Sequence, residues 1–544
     1  MGYYESPTGG DYTGSPGCRA PRLPFLCIHK LGHLDKSLTD SAAGECKGLY
    51  LLELTTLQAA NIQAFLKLVS KWLKWIAETP FRFAKSPAQS DLDVALGSYG
   101  RQVLERHWDS WISESDWEWI SARGFNTVRI PIGFYHICGA EPSVLQGTDF
   151  SGMYEVFQGA WSRIANALAT ANTYGIGVLI DLHAAPGKQN RDSHSGTSSS
   201  EPRFFTPQNM KHTVFVLTVL AKQLKRFAES HNPPLHNLVG IELLNEPVHH
   251  DSLERWYIEA SNDIRQIDPS LPLYIGDSWQ TDQYTGFIER QSSSIPFLVL
   301  DHHLYRCFTQ EDAKTSVHQH AQNLLDPNAA TPQMFARVAS KLENAGGAMV
   351  VGEWSGAMNP GSLHGVGNEI EALREFVKAQ LALYERHCAG YYFWTYKKET
   401  TGDKGWSLRD AVQASTFPIT IGRRDGLGVL QRTINSRAAR RESEKSNAYG
   451  QHVSYWSRYP GNYEHWRFEA GFLQGWDDAW TFIDFVNSSP GNGAILELGF
   501  RGPWAKRRVQ QHATTRGSNA LWEFEHGFKQ GVLAAHNYLR ELLP

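Results

Sequence analysis

The sequence predicts an α/β protein: a closed (β/α)8 barrel with an irregular N-terminal region before it and a helical extension after it. Three observations carry this. From about residue 100 to residue 425, short apolar runs alternate with longer amphipathic stretches, as in a parallel sheet covered on both faces by its crossover helices. Seven such runs are evident, and one more upstream would close the sheet into a barrel. No G-x-G-x-x-G follows an early strand, which counts against the alternative, an open doubly wound sheet.

Residues 1–45 are rich in Gly, Pro and Ser and are expected to be poorly ordered. The barrel is assigned to 46–432, with "GLYLLEL" (48–54) as the candidate first strand. The other strands are "FNTVRIPI" (125–132), "GIGVLIDLH" (175–183), "LVGIELL" (238–244), "LPLYIGD" (271–277), "FLVLDHHLY" (297–305), "AMVVGEW" (348–354) and "GYYFWTY" (390–396). Helical periodicity runs through Trp108–Arg123, Tyr154–Tyr174, Asn209–His231, Leu253–Ile267, Pro332–Ala345 and Glu369–His387. The polar stretch "RDSHSGTSSS" (191–200) reads as a loop, and "TINSRAARRESEKSN" (433–447) as a charged linker. The C-terminal extension is assigned to 445–544. It carries W-x-F-E-x-G-F-x-Q-G twice, at Trp466 and again at Trp522. Two copies are too few for a solenoid and predict a pair of helices packed on each other or on the barrel.

Lys plus Arg number 52 against 56 Asp plus Glu, a net charge of −4. Such a balance argues against a nucleic-acid partner or an anionic membrane surface. No run is long enough to span a membrane. "MGYYESPTGGDYTGSPG" lacks a signal-peptide pattern, which sets the expectation of a cytoplasmic protein. The alternative, a secreted or cell-surface enzyme, would follow from a wrongly drawn gene start. Six scattered Cys form no C-x-x-C pair, so neither a metal nor another cofactor is expected. The adjacent His249 and His250 do not change that reading. The sequence gives no oligomeric state. Eighteen Trp serve packing first, but they also suit a cleft that stacks on sugar rings.

In a parallel barrel, functional groups gather at the C-terminal ends of the strands. There the sequence places Arg129, His183, Asn245, Glu246, His303, Tyr305, Glu353 and Trp394. Packing alone does not ask for them, because a buried carboxylate without a partner costs several kcal/mol. Glu246 and Glu353 would face each other across the barrel mouth. Paired carboxylates are the minimum equipment for glycoside hydrolysis, one as proton donor and one as nucleophile or base. Arg129 and the Tyr305 hydroxyl near Glu353 would favour its ionised form, which suggests Glu353 as nucleophile and Glu246 as acid/base. Glu242 reads as paired inside the barrel and His302 as structural. Trp354 is either a wall of the site or packing, and Trp406 is a candidate for the aglycone side.

The motifs "VRIPIG", "DLHAAPGKQN", "LLNEPV", "DHHLY", "VVGEWS" and "GYYFWTYKKE" resemble, in order and spacing, those of glycoside hydrolase family 5. The nearest branch is the fungal exo-β-1,3-glucanases. The resemblance implies a TIM barrel, a retaining double displacement and a β-glucan or other β-glucoside substrate. It implies Glu246 as acid/base, Glu353 as nucleophile and Arg129, His183, Asn245, His303, Tyr305 and Trp394 as supporting residues. It also implies that Asn245 holds a sugar 2-hydroxyl, that Trp394 floors the terminal-sugar subsite and that Phe308 lines the entrance. The glycine-rich first strand of that family is missing here, and Glu53 stands as the candidate for its sugar-gripping Glu. Exo-β-1,3-glucanase is the expected activity. A β-glucosidase acting on lipid or sterol glucosides, a transglycosylase, a β-1,4-glucanase and an inactive carbohydrate-binding barrel remain alternatives.

Overall fold

The computed structural model describes residues 50–53, 90–199, 201–421, 427–487 and 500–542, with side chains omitted for 50–53, 427–435 and 485–487. The expectation of disorder for 1–45 and the role offered to the Glu53 side chain lie outside that description. Eight parallel strands close into a barrel in chain order. They are β1 (Tyr50–Glu53), β2 (Thr127–Gly133), β3 (Gly177–Ala184), β4 (Leu238–Glu242), β5 (Leu273–Gly276), β6 (Leu298–Leu304), β7 (Ala348–Trp354) and β8 (Gly390–Phe393). Each lies within the apolar run that predicted it, apart from an end residue or two. The weak upstream run supplies β1, which pairs with both β2 and β8 and so closes the ring.

The main helices are α1 (Gly100–Ser110), α2 (Glu114–Ala122), α3 (Ala160–Thr173), α4 (Pro207–Glu229), α5 (Leu253–Ile267), α6 (Thr281–Gln291), α7 (Ala330–Ala345) and α8 (Glu369–His387), with further helical pieces such as Val317–Leu325 between them. The single helix expected over Trp108–Arg123 is split between α1 and α2. Asp116 Oδ2 accepts there from the Ser113 N–H (2.9 Å) and from the Ser113 hydroxyl (2.8 Å), and a carboxylate holding the N-cap residue favours a fresh start over a continued turn. Asp116 also ties α2 to the end of the barrel, accepting from the Tyr396 hydroxyl (2.6 Å), Lys397 Nζ (2.8 Å) and Arg409 Nη1 (3.0 Å).

The barrel interior is layered by the two-residue period of its strands. Leu179 and Val299 lie one layer below Asp181 and Asp301. With Val239, Tyr274, Val350 and Tyr392 they form an apolar cluster that also takes in Phe500 from outside the barrel. The ring of Phe500 meets that of Phe297, just before β6, at 5.5 Å, so it covers the N-terminal end. Above this layer come charged groups, and above those the C-terminal ends of the strands.

Beyond the barrel stand α9 (Leu427–Trp456), α10 (Trp466–Asn487), α11 (Arg501–Arg516) and α12 (Leu521–Leu542). The stretch 433–447, expected as a linker, lies inside α9. Its charges are used between helices. Arg437 stacks on Trp480 at 3.8 Å and bonds Asp484, and Arg441 bonds Asp477. The repeat is the contact between α10 and α12. A Cβ on Gly471 would lie 2.1 Å from the Phe524 carbonyl oxygen, and one on Gly527 only 1.9 Å from that of Phe468. Gly475 and Gly531 meet the Phe528 and Phe472 carbonyls in the same way. The two copies therefore present one face to each other about a pseudo-twofold axis. His452 stacks on Phe468 and His512 on Phe524, both at 4.1 Å. The unit docks on α7 through Arg501 and Glu343 (3.2 Å).

Candidate active site

The apolar run of β4 ends, and two residues later Asn245 and Glu246 follow, Glu246 with φ 43°. This left-handed geometry is uncommon outside Gly and Asn, and it occurs at the residue whose carboxyl enters the site. Glu246 Oε1 accepts from His303 Nδ1 at 2.8 Å, and Oε2 lies 3.4 Å from His194 Nε2. Glu353, on β7 and 1% exposed, accepts from Arg129 Nη1 at 3.1 Å and from the Tyr305 hydroxyl at 2.8 Å. His303 Nδ1 is also 3.5 Å from Glu353 Oε2. Glu246, His303 and Glu353 each offer an atom within 4.8 Å of the others.

Asn245 is fixed on both sides. Its Oδ1 accepts from Arg129 Nη2 at 2.8 Å, and its Nδ2 faces His183 Nε2 at 3.3 Å. His183 Nδ1 lies 2.6 Å from Asp181 Oδ2. Burial, then His194, Arg129 and His303, hold the His183 imidazole well below its usual pKa. A neutral ring donating from Nδ1 to Asp181 and accepting at Nε2 from Asn245 satisfies every contact. The ring also stacks on Trp394, 5.7 Å away and tilted by 12°.

Tyr305, Phe308 and Trp406 form an aromatic group with centroid separations of 5.3–5.8 Å, and Phe308 is 53% exposed. The structure thus brings together Arg129, His183, Asn245, Glu246, His303, Tyr305, Glu353 and Trp394, with Phe308 beside Tyr305. Trp354 is fully buried among Tyr384, Tyr391, Phe393 and Phe417, so its place is in packing. His302 bonds Asp277 at 2.6 Å and packs on Phe335. Glu242 pairs with Arg129 Nε at 2.7 Å.

Sequence reasoning missed His194 and Asp301. His194 sits in a Ser-rich loop that carries no periodicity to reveal it. Asp301 was legible, since it precedes His303 by two residues on one strand and so shares its face.

Five carboxyls (Asp181, Glu242, Glu246, Asp301, Glu353) surround one guanidinium and the His303 imidazole, so they cannot all be ionised. Burial lifts Asp181 well above its usual range despite Arg129 at 2.9 Å. Burial lifts Glu242 to about 7 against the same cation. For the pair above, the direction departs from the sequence expectation. Burial raises Glu353, and with nearby Glu246 it outweighs His303, Arg129 and Tyr305. Burial raises Glu246 too, but the His303 hydrogen bond and charge outweigh it and bring the carboxyl down. Arg129 is the permanent cation among them, and although burial would lower His303, Glu353, Asp301 and Glu246 raise its imidazole well above the usual value.

Two carboxyls with an oxygen of each within 4.8 Å, at the C-terminal mouth of a (β/α)8 barrel, define a glycosidase type of site. The family model for cellulase (glycosyl hydrolase family 5) matches residues 98–400, and that for the glucan 1,3-beta-glucosidase 3 C-terminal domain matches 437–539. Glucan 1,3-beta-glucosidase 3 of Schizosaccharomyces pombe is 30% identical over 85% of this chain and 91% of its own. An uncharacterized glycosyl hydrolase of Saccharomyces cerevisiae is 28% identical over 80% and 81%. The crystal structure of AoRut covers 68% of this chain and 97% of its own at 16% identity, TM-score 0.50, a likeness of fold. The chain belongs to glycosyl hydrolase family 5, and it is a glycosidase.

Proposed function

We propose that the chain is a retaining exo-β-1,3-glucosidase that releases glucose from β-glucan ends, with Glu353 as nucleophile and Glu246 as acid/base. The observation that carries the mechanism is the short reach between the two carboxyls, within 4.8 Å at their nearest oxygens. Retention needs carboxyls about 5–5.5 Å apart, whereas inversion needs roughly 6.5–9.5 Å to admit water. In the first step Glu353 attacks the anomeric carbon while Glu246 protonates the leaving oxygen. In the second, Glu246 takes a proton from water as it attacks the glycosyl-enzyme. Arg129 and Tyr305 orient Glu353, and Asn245, held by Arg129 and His183, is placed to meet the 2-hydroxyl. The β-1,3 linkage is supported by the name of the fission-yeast relative, and specificity itself resides in loops around the mouth.

The test is turnover of an aryl β-glucoside, laminarin, cello-oligosaccharides and a glucolipid by the full-length protein and by Glu353→Gln, with product anomers followed by NMR. The expected result is laminarin preferred, β-glucose released first and activity lost in the variant. α-Glucose as first product would rule out retention, and a stronger response to glucolipid or cello-oligosaccharide would move the substrate class.

A further inference from the structure

Behind His303, away from Glu246, lie Asp301 and Glu242. Asp301 is 1% exposed and Glu242 fully buried. Asp301 Oδ1 and Oδ2 and Glu242 Oε1 receive no hydrogen bond from any N–H or hydroxyl among the described residues. Atoms of Glu242, Asp301 and His303 lie within 4.8 Å of one another, and His303 Nε2 is 3.6 Å from Asp301 Oδ2. The neighbouring strand makes room for this, since a Cβ at Gly352 would lie 2.1 Å from Asp301 Oδ2. Two adjacent buried carboxyls without other donors cannot both carry charge. They can share one proton, which satisfies the orphaned oxygens and leaves a single negative charge facing the imidazole.

We propose that Asp301 and Glu242 share a proton and act as one buried anion that keeps His303 protonated, so that the His303–Glu246 pair stores the proton that Glu246 delivers. Asp301 is then a positioning residue acting through His303, which itself touches Glu246. The proton moves from His303 Nδ1 to the Glu246 carboxyl, and from the carboxyl to the leaving oxygen as the glycosidic C–O bond breaks. The imidazole is left neutral, with Nε2–H toward Asp301. In the second step the proton that Glu246 takes from water restores the pair.

The protonation tendencies agree with this allocation. Burial lifts Glu242 to about 7. Burial would lift Asp301 as well, but His303 and Arg129 bring it down. Burial would lower His303, but Glu353, Asp301 and Glu246 raise it well above its usual value. Facing His303 are Asp301 from its own strand, Glu353 from β7, Glu242 and Glu246 from β4 and the segment after it, Arg129 from β2, and His183 with His194 from β3 and its loop. The anions on that list outweigh the cations. The low Glu246 carboxyl then has a reason, since the His303 hydrogen bond and charge outweigh its burial: the proton of the acid rests on the imidazole.

This deepens the reading above and rests on it, so the test has one arm that needs no activity. In the full-length protein, 15N NMR of the His303 imidazole should show both nitrogens protonated at pH 8. A ring titrating near 6.5, its ordinary value, overturns the proposal whatever the activity. In kinetics, Asp301→Asn should move the basic limb of kcat/KM down by at least about one pH unit. Its loss of rate should be large for aryl glucosides with poor leaving groups and nearly absent for a dinitrophenyl glucoside, which needs no proton. Glu242→Gln keeps a neutral donor to Asp301 and should leave the basic limb in place. An unmoved limb in Asp301→Asn, equal losses on both substrates, or a Glu242→Gln profile shifted like that of Asp301→Asn would each overturn it.

Discussion

Replacing Tyr305 with Phe removes one hydroxyl and nothing else from the contacts of Glu353. That hydroxyl donates to Glu353 Oε2 at 2.8 Å, and Arg129 Nη1 donates to the other oxygen at 3.1 Å. A hydrogen bond to a charged acceptor is worth about 1.5–3 kcal/mol, so the ionised nucleophile should lose roughly that much, or about one to two pH units. The sign follows from the role. Tyr305 lowers the Glu353 pKa against burial, and a nucleophile must be ionised. The acid limb of kcat/KM should therefore move upward, toward neutrality. A drop in kcat of roughly ten- to a hundredfold should accompany it, because negative charge on Glu353 must be held where attack occurs. The assay is a pH series of kcat and KM on aryl β-glucosides of graded leaving-group ability, with circular dichroism to establish that the variant folds. An acid limb within 0.2 unit of wild type, together with kcat within about twofold, would refute the assignment of Tyr305 as an electrostatic partner of Glu353.

Three further outcomes follow from the geometry. Gly527→Ala should destabilise the C-terminal helices by about 3 kcal/mol, because its Cβ would fall 1.9 Å from the Phe468 carbonyl oxygen and force α10 and α12 apart; thermal melts of the full chain would show it, and Gly450→Ala, with open space around its Cβ, is the control. Asp116→Asn should cost about 2 kcal/mol near neutral pH. Burial would raise that carboxyl, but Lys397, Ser113 and Tyr396 bring it to about 2 from 3.8, so its contribution is present above pH 4 and lost as pH falls toward 2; the variant should melt with a flatter acid dependence over that window. Trp406→Ala should raise KM for laminari-oligosaccharides by about tenfold and change it little for a small aryl glucoside, because Trp406 packs beside exposed Phe308 at 5.8 Å.

What the sequence revealed and what it hid differ for physical reasons. Strands buried on both faces leave continuous apolar runs, as β2 and β3 do. Polar side chains at strand ends stand out against those runs, so Glu246, His303 and Glu353 could be read directly. Side-chain identity does not report net electrostatics. Arg129 and Tyr305 contact Glu353 as the sequence led one to expect, yet burial outweighs them and the carboxyl goes up. His194 escaped notice because a loop residue reaches the site by backbone path, not by period. The run 433–447 read as a linker because its charges mask a helical face. That face uses Arg437 over Trp480 and Arg441 on Asp477, where long cationic side chains pack and pair at once.

The repeat and the active site, separate in sequence, meet in the electrostatics of the barrel. The hold of the Asp301–Glu242 anion on His303 depends on a medium that keeps charge costly. Leu179 and Val299, one layer below Asp181 and Asp301, are part of the apolar floor that supplies it. That floor is completed by Phe500, the residue before α11, and α11 is held between α7 and α12. Lys506 on α11 bonds Glu525 of the second repeat copy at 2.7 Å, so the Phe500 ring is anchored to the helix that carries Gly527 and Gly531. A loosened α10–α12 pair would free the anchor of that ring. On this argument the C-terminal helices brace the barrel from its N-terminal end, through Phe500 on the apolar floor, Arg501 on Glu343 and Lys506 on Glu525.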